Sequence, residues 1–573
     1  MAVLSRKDAL DAIRTEEFDV VVIGGGVTGA GVALDAASRG YSVAIIERAD
    51  WASGTSSRSS KMVHGGLRYL QNFDLGLVRE ALLERQLMVE MAPHLVYPTP
   101  FLVPSVGEVK KNRLIGIGLN MYDVMATTRV GSSRKERKRE MALRGEGSDA
   151  APDPERWAPD RHRTIPGSEA AELIPALSPL DPRDAYLFYD CQTDDARLVI
   201  TILGEAERFG AVPLNGVEVT ELLEADGIAT GVKCRETATG EELEVKAQSV
   251  INATGVWADR IRPDEIHDQA EIPRIAPSRG THVTVPTEKL EIGTAACIVP
   301  ATQDRTIFAL PWYGRTLIGT TDRDYEGELD HIEPSGDDIE YLLGAANAYF
   351  ATDLELGDVT GAYAGVRPLI SSGDPRKSVD ISRKAELYET SSGMLTITGG
   401  KLTTWRRMAK HVVDRLVERE GRQAPCHTQD LPLGMPATDE DLSALPDLGV
   451  ADSDGTEALL RFRYGQFSAK LLRMASEQEG LEKPIVGSMP DLMAEVLVAA
   501  RYEQARSVGD VLLRRTRLAI LAAPELRSAD AVRPIAEVLG SELGWSEKEV
   551  ASSAEAWLGE AAAEGVDPAG EPV

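Results

Sequence analysis

Apolar residues first gather at Phe18-Asp19-Val20-Val21-Val22-Ile23, a short β-branched run that ends directly on glycine. Its apolar positions are nearly continuous rather than alternating, which predicts a strand covered on both faces, as in a parallel sheet. After Gly24-Gly25-Gly26-Val27-Thr28-Gly29, the alanine-rich stretch 30–38 predicts a helix that Gly40 stops. Val43-Ala44-Ile45-Ile46 predicts a second strand ending at Glu47, which completes one βαβ unit in about 30 residues. A long amphipathic helix is predicted from Leu75 to Met91, before Pro93. Three strand-like runs near 217–222, 229–236 and 241–247 suggest an antiparallel meander, after which Val250-Ile251-Asn252 enters Ala253-Thr254-Gly255. Residues 272–321 are rich in β-branched side chains, and from about Asp439 the pattern turns helical. The residues before Phe18 read as a polar lead, and 145–167 as a surface loop rich in Gly, Asp, Pro and Arg. There is no internal repeat.

With 573 residues, 43% hydrophobic and 27% charged, the chain is a globular protein of about three or four domain-sized units. No run approaches the ~20 apolar residues of a membrane span, and no signal-peptide-like apolar stretch opens the chain. Cys191, Cys234, Cys297 and Cys426 form no CxxC. Neither a zinc ribbon nor a cysteine-ligated iron–sulfur cluster is expected, no metal site is expected, and a reducing, cytoplasmic setting is the default.

The net charge is −29, and only 16 of the 62 basic residues are lysine. A generic basic surface for nucleic acid is missing. Acid-rich, lysine-poor surfaces suit a salty cytoplasm, where a Debye length of ~3 Å at 1 M screens self-repulsion. Salt adaptation is therefore expected, and loss of thermal stability at low potassium chloride would show it; an ordinary acidic protein is the alternative. Against that background, Lys110–Arg139 holds nine basic residues and two acids, Asp123 and Glu136.

The glycine turn carries chemistry because of its setting between a strand and a helix. Gly24 permits the tight turn, Gly26 lets a pyrophosphate approach the backbone, and Gly29 packs helix against strand, with Thr28 in the same turn. The helix N-terminus offers N–H groups to phosphate, and Glu47 can accept hydrogen bonds from ribose hydroxyls. NAD and FAD both fit this unit. The N-terminal placement, the later meander and the second turn Ala253-Thr254-Gly255 together resemble the FAD-binding fold of the D-amino-acid-oxidase and glutathione-reductase class.

The stretch Ser59-Ser60-Lys61-Met62-Val63-His64-Gly65-Gly66-Leu67-Arg68-Tyr69-Leu70 resembles a signature of the FAD-dependent, quinone-linked glycerol-3-phosphate dehydrogenases. So do 189–198, Ile318-Gly319-Thr320-Thr321-Asp322, Gly365-Val366-Arg367-Pro368 and Gly399-Gly400-Lys401-Leu402-Thr403-Thr404, in family order, and Leu512–Leu518 resembles the family's C-terminal domain. The resemblance implies an α/β fold. An FAD-binding, Rossmann-like domain would comprise residues 15–100, 190–262 and 360–425. An interleaved β-rich substrate domain would take 101–189 and 263–359, and an all-helical C-terminal domain 430–573. Thr55, Ser56, Ser60, Lys61, Gly400, Leu402 and Thr403 would join the first turn and Ala253, Thr254 and Gly255 at the FAD.

The implied reaction is oxidation of sn-glycerol 3-phosphate to dihydroxyacetone phosphate by hydride transfer to FAD. Oxidising a secondary alcohol needs a base for the hydroxyl proton, and a phosphate ester needs a cationic clamp. The resemblance puts Arg68, Arg367 and Arg383 around the substrate, with Tyr69 as a further donor and Lys384 as a competitor of Arg383. His64 would be the base, since imidazole titrates near about 6.5; His282 is the runner-up. The helix after Lys401 would put positive potential near the flavin, to which Lys401 could add. Electrons would pass to quinone directly or through partner subunits. The basic segment 110–139 would rest on an anionic lipid surface, placing the protein peripherally on the inner face of the cell membrane; subunit docking or a solvated loop are its alternatives. Among other readings, an amine or amino-acid oxidase shares the scaffold, a glycerol-3-phosphate oxidase would use oxygen, and a non-catalytic flavoprotein subunit would only scaffold a complex. No cysteine follows Cys426, so no cysteine-rich iron–sulfur module is expected at that end.

Overall fold

The computed structural model describes residues 5–66, 75–106, 116–125, 161–260, 274–301, 306–371, 385–439, 441 and 455–570. Phe18–Ile23 lies at the centre of a parallel sheet, flanked by Val43–Ile46 on one side and Glu242–Asn252 on the other. Val212–Leu214 and Leu395–Thr398 extend it outward in the same direction, and Glu386–Glu389 closes one edge antiparallel. Helices Val27–Ser38, Asp195–Arg208 and Trp405–Glu420 share one apolar core against the sheet, which is why Val20, Val22, Val43 and Ile45 are all fully buried.

The meander is present, as strands Val217–Ala225, Ile228–Glu236 and Glu242–Asn252. Its third strand serves two sheets: residues 242–246 pair antiparallel within the meander, and 247–252 pair parallel with the first strand. The polar lead differs from expectation. Arg6–Thr15 is a helix, capped by the Ser5 hydroxyl, whose Ala9 and Ile13 pack on the far face of the sheet. Two inward residues in ten are too thin a stripe to stand out in a sequence. The surface-loop reading of 145–167 also changes, because Arg163–Pro166 pairs with strand Asp184–Gln192; residues up to 160 lie outside the described set.

A second, mostly antiparallel sheet, of ten strands among the described residues, is built around the long strand Arg274–Pro286 and its neighbour Gly361–Ser371. The chain beyond residue 455 is helical, and it shares a core with this sheet: Phe101, Phe188, Leu310 and Leu317 belong to the same cluster as Leu460, Val496 and Leu518. Buried ion pairs tie it to the parallel sheet as well. A π-helical turn, Val511–Arg515, sets Arg514 and Arg515 side by side on Asp50, at 2.6 and 2.8 Å. Burial alone would raise the Asp50 pKa, but Arg515 and Arg514 outweigh it and hold the carboxyl below its usual range. The stability gained from this depressed pKa is present at neutral pH and is lost as pH falls through the ordinary Asp range of about 4 and below.

Candidate active site

Three neighbouring parallel strands end on glycine turns: Ile23 runs into Gly24–Gly26, Asn252 into Ala253–Gly255, and Thr398 into Gly399–Gly400. All three turns lie at the carboxyl edge of the sheet, where open α/β folds bind ligands. Together they line an elongated cleft of about 1020 Å³.

The first turn leaves no room for side chains. Gly24 has φ +108°, and a Cβ there would stand 2.8 Å from the Ala253 carbonyl oxygen. A Cβ on Gly29 would overlap the Gly24 carbonyl oxygen, and one on Gly26 would reach the Ser56 hydroxyl. Gly26 and Thr28 face the cleft at the N-terminus of helix Val27–Ser38, which no side chain of Gly26 can cap. Ser56 instead accepts the Val27 N–H at 2.9 Å. Glu47 lines the cleft and accepts from the N–H groups of Gly25, at 2.7 Å, and Ala49, at 2.9 Å. Burial raises its pKa and these two bonds oppose that; each oxygen keeps a second lone pair for a hydroxyl. Thr55, Ser56, Ala253, Thr254, Gly255, Gly400, Lys401 and Leu402 line the same cleft. A bare glycine cradle, a helix N-terminus and a carboxylate in one lining fit a dinucleotide.

Beyond that cleft the expected residues divide. Arg367 comes from strand Gly361–Ser371, and the next residue, Pro368, lines the cleft. Its guanidinium donates to Asp322 at 3.1 Å and to the Thr320 hydroxyl at 3.3 Å, with 31% of the side chain exposed. His282 pairs in register with Gly319 and Tyr363 and stacks on the Tyr363 ring, 4.7 Å between centroids. Its Nε2 meets the Ser60 hydroxyl at 2.8 Å. Burial, then Lys61 and Arg367, push its pKa well below 6.5, so the ring is neutral at pH 7. His64 follows strand Met62–Val63 and is tied through its backbone to Thr403, whose hydroxyl accepts its N–H at 3.3 Å.

Lys61 does not line the cleft. Its side chain is fully buried away from the cleft lining, with the ammonium donating to Ser57 O at 2.6 Å and to both Asp195 oxygens at 3.0 and 2.9 Å. Burial, then Arg517, lower its pKa to about 7. Arg517 of the helical region donates to the same Ser57 carbonyl and to Asp195, so this cluster fastens the loop bearing Thr55 and Ser56. The sequence-derived set omitted Arg48, Ser53, Pro368 and Trp257, which also line the cleft. Arg48 directly follows Glu47, and Trp257 lies two residues after the turn 253–255, which was the available signal. Arg68, Tyr69 and Arg383 lie outside the described residues.

The family model for FAD dependent oxidoreductases matches residues 19–406, and that for the C-terminal domain of alpha-glycerophosphate oxidase matches 397–550. Glycerol-3-phosphate dehydrogenase 2 of Mycobacterium bovis is 36% identical over 551 residues, covering 95% of this chain and 88% of its own. The chain belongs to the FAD-dependent glycerol-3-phosphate dehydrogenase family. The mitochondrial glycerol-3-phosphate dehydrogenase of Rattus norvegicus is 35% identical, over 93% of this chain and 71% of that one. The glycerol-3-phosphate dehydrogenase of Bacillus halodurans, solved with FAD, superposes over all of both chains with TM-score 0.76 and 26% identity. As a member of this family the protein is an FAD-dependent oxidoreductase, and the glycine-lined cleft has the features a dinucleotide needs. The fold is the FAD-binding class expected from the sequence, with the helical region as the matching C-terminal domain.

Proposed function

We propose that the protein oxidises sn-glycerol 3-phosphate to dihydroxyacetone phosphate and passes the electrons to quinone, directly or through partner subunits. The observation that carries this is Arg367, a half-buried guanidinium held by Thr320 and Asp322 one residue before the cleft lining. Its planar fork suits phosphate oxygens, and a phosphate gripped there would fix the alcohol carbon at the flavin end of the cleft. FAD supplies the two-electron acceptor. The chain supplies position and proton transfer: Arg68, Tyr69 and Arg383 complete the clamp, and His64 takes the hydroxyl proton. Lys401 and the N-terminus of helix Trp405–Glu420 supply positive potential at the cleft wall. His282 remains the second base, because it is neutral, buried and bonded to Ser60.

Anaerobic titration with sn-glycerol 3-phosphate should bleach the flavin absorbance, and amino acids should not. His64→Asn should slow that bleaching by about 10²–10⁴-fold, the usual worth of a general base. Normal reduction by His64→Asn, with loss in His282→Gln, would move the role to His282. Re-oxidation by quinone analogues but not by oxygen would support the acceptor named here.

We also propose that the basic segment 110–139 meets an anionic membrane surface. Among the described residues no helix is long and apolar enough to cross a membrane. Inside that segment the helix 116–125 leaves Ile117 and Val124 57% and 60% exposed, which suits shallow contact. A charge-swapped 134–139 segment should reduce flotation with anionic liposomes, and unchanged flotation would remove this reading.

A further inference from the structure

We infer that the segment 325–335, between strand Arg323–Asp324 and helix Gly336–Phe350, is a latch that retains FAD through the cleft wall formed by Arg48 and Trp257. This holds whatever substrate the enzyme oxidises. The segment lies outside all three glycine turns and carries no nucleotide-binding pattern, yet it grips the residues that follow Glu47 and the turn 253–255. Ile332 is buried in a small apolar cluster with Val256, Ala364 and Val366, against which Trp257, Tyr325 and Leu329 also pack. Val256 and Trp257 continue the turn 253–255 and line the cleft. Val366 accepts a hydrogen bond from Thr55, another lining residue, at 2.6 Å.

Next to Ile332, Asp330 accepts from the Arg48 guanidinium and from Trp257 Nε1, the latter at 3.1 Å, with Arg260 at 3.8 Å. Arg48, Trp257 and Arg260 all line the cleft, and Arg48 is stacked over the Trp257 ring at 4.9 Å. On the other side, His331 meets Glu564 at 2.9 Å, and Arg58 holds the same carboxylate at 2.7 Å. A smaller cavity of about 280 Å³ shares Arg48, Ser53 and Trp257 with the cleft and is closed by Asp330, His331, Glu560 and Glu564. One stretch of eleven residues thus joins the cleft wall to the last helix of the chain, Glu547–Glu564. Two contacts made by adjacent side chains on one wall place the arrangement beyond a chance surface ion pair. Release of the dinucleotide would require Arg48 and Trp257 to move, and the latch opposes that movement.

The test is the rate at which purified holoenzyme releases FAD, followed by the rise of free-flavin fluorescence after dilution. Ile332→Ala removes buried apolar area and should speed release by about tenfold or more. Asp330→Asn breaks partly exposed pairs and should speed it by about three- to fivefold. Arg501→Ala, which removes the comparable exposed pair with Glu542, neither residue lining the cleft or the smaller cavity, should leave release unchanged. Far-UV circular dichroism recorded with each release curve should stay native throughout. Release within twofold of the parent in both latch variants would overturn the inference. So would equal acceleration by Arg501→Ala, because release would then follow overall stability.

Discussion

Gly29→Ala should yield a protein without flavin colour. The added Cβ would overlap the Gly24 carbonyl oxygen and stand 3.1 Å from its carbonyl carbon. Both are backbone atoms of the turn itself, so no side chain can swing away to make room. Relief requires helix Val27–Ser38 to move off strand Phe18–Ile23, and that pair is sealed by Ala30, Ala33 and Val22, all fully buried. Overpacking of this kind costs about 1–3 kcal/mol even where the surroundings can shift. Here the shift also displaces the N-terminal N–H groups from the phosphate position, so binding is lost along with stability. The ratio of flavin to protein absorbance after purification measures the outcome, with circular dichroism reporting the fold. Gly344→Ala is the matching control. It sits inside helix Gly336–Phe350 with nothing within 4 Å of its added Cβ, and should gain about 0.5–1 kcal/mol with full flavin content. Stoichiometric flavin in Gly29→Ala would show that this turn does not hold the cofactor.

Arg367→Ala should lower kcat/KM for glycerol 3-phosphate by about 10²–10³-fold while flavin content stays complete. A bidentate, charge-assisted grip on phosphate is worth a few kcal/mol, and each 1.4 kcal/mol is about tenfold in rate. Stability should change little, because the ion pair with Asp322 is about one-third exposed on each side and water screens it. Arg367→Lys restores the charge without the fork, so it should recover about tenfold at most. A structural role for Arg367 predicts the reverse pattern, a lowered melting temperature with an unchanged kcat/KM. Inhibition by free phosphate provides a second readout: it should weaken in Arg367→Ala and leave the flavin spectrum unperturbed.

Short-range pattern was enough for the parts of the molecule that are locally encoded. A continuous β-branched run ending on glycine marked Phe18–Ile23, a short apolar run ending at Glu47 marked Val43–Ile46, and apolar spacing marked the helix Leu75–Met91. The meander was legible from three strand-like runs separated by turn residues, although not the fact that its last strand continues into the parallel sheet. Leu395–Thr398 was too short to announce a third parallel strand, and its glycine turn joins the cleft only because it pairs with Glu242–Asn252. The Ser60–His282 bond spans 222 positions and the Ser57–Arg517 bond 460, so neither has any trace in local spacing. Lys61 illustrates the cost: a motif named it, but the burial that turned its ammonium toward Asp195 depends on the packing of helix Asp195–Arg208 and the C-terminal helices.

From its sequence alone, this chain determined a dinucleotide cradle and the residue types for alcohol oxidation, because glycine turns and strand periodicity act within a few residues of one another. Only the tertiary structure decided which turns share one cleft, which cations stand exposed beside it and which are consumed in buried pairs, because those outcomes depend on strand pairing and burial between segments hundreds of residues apart.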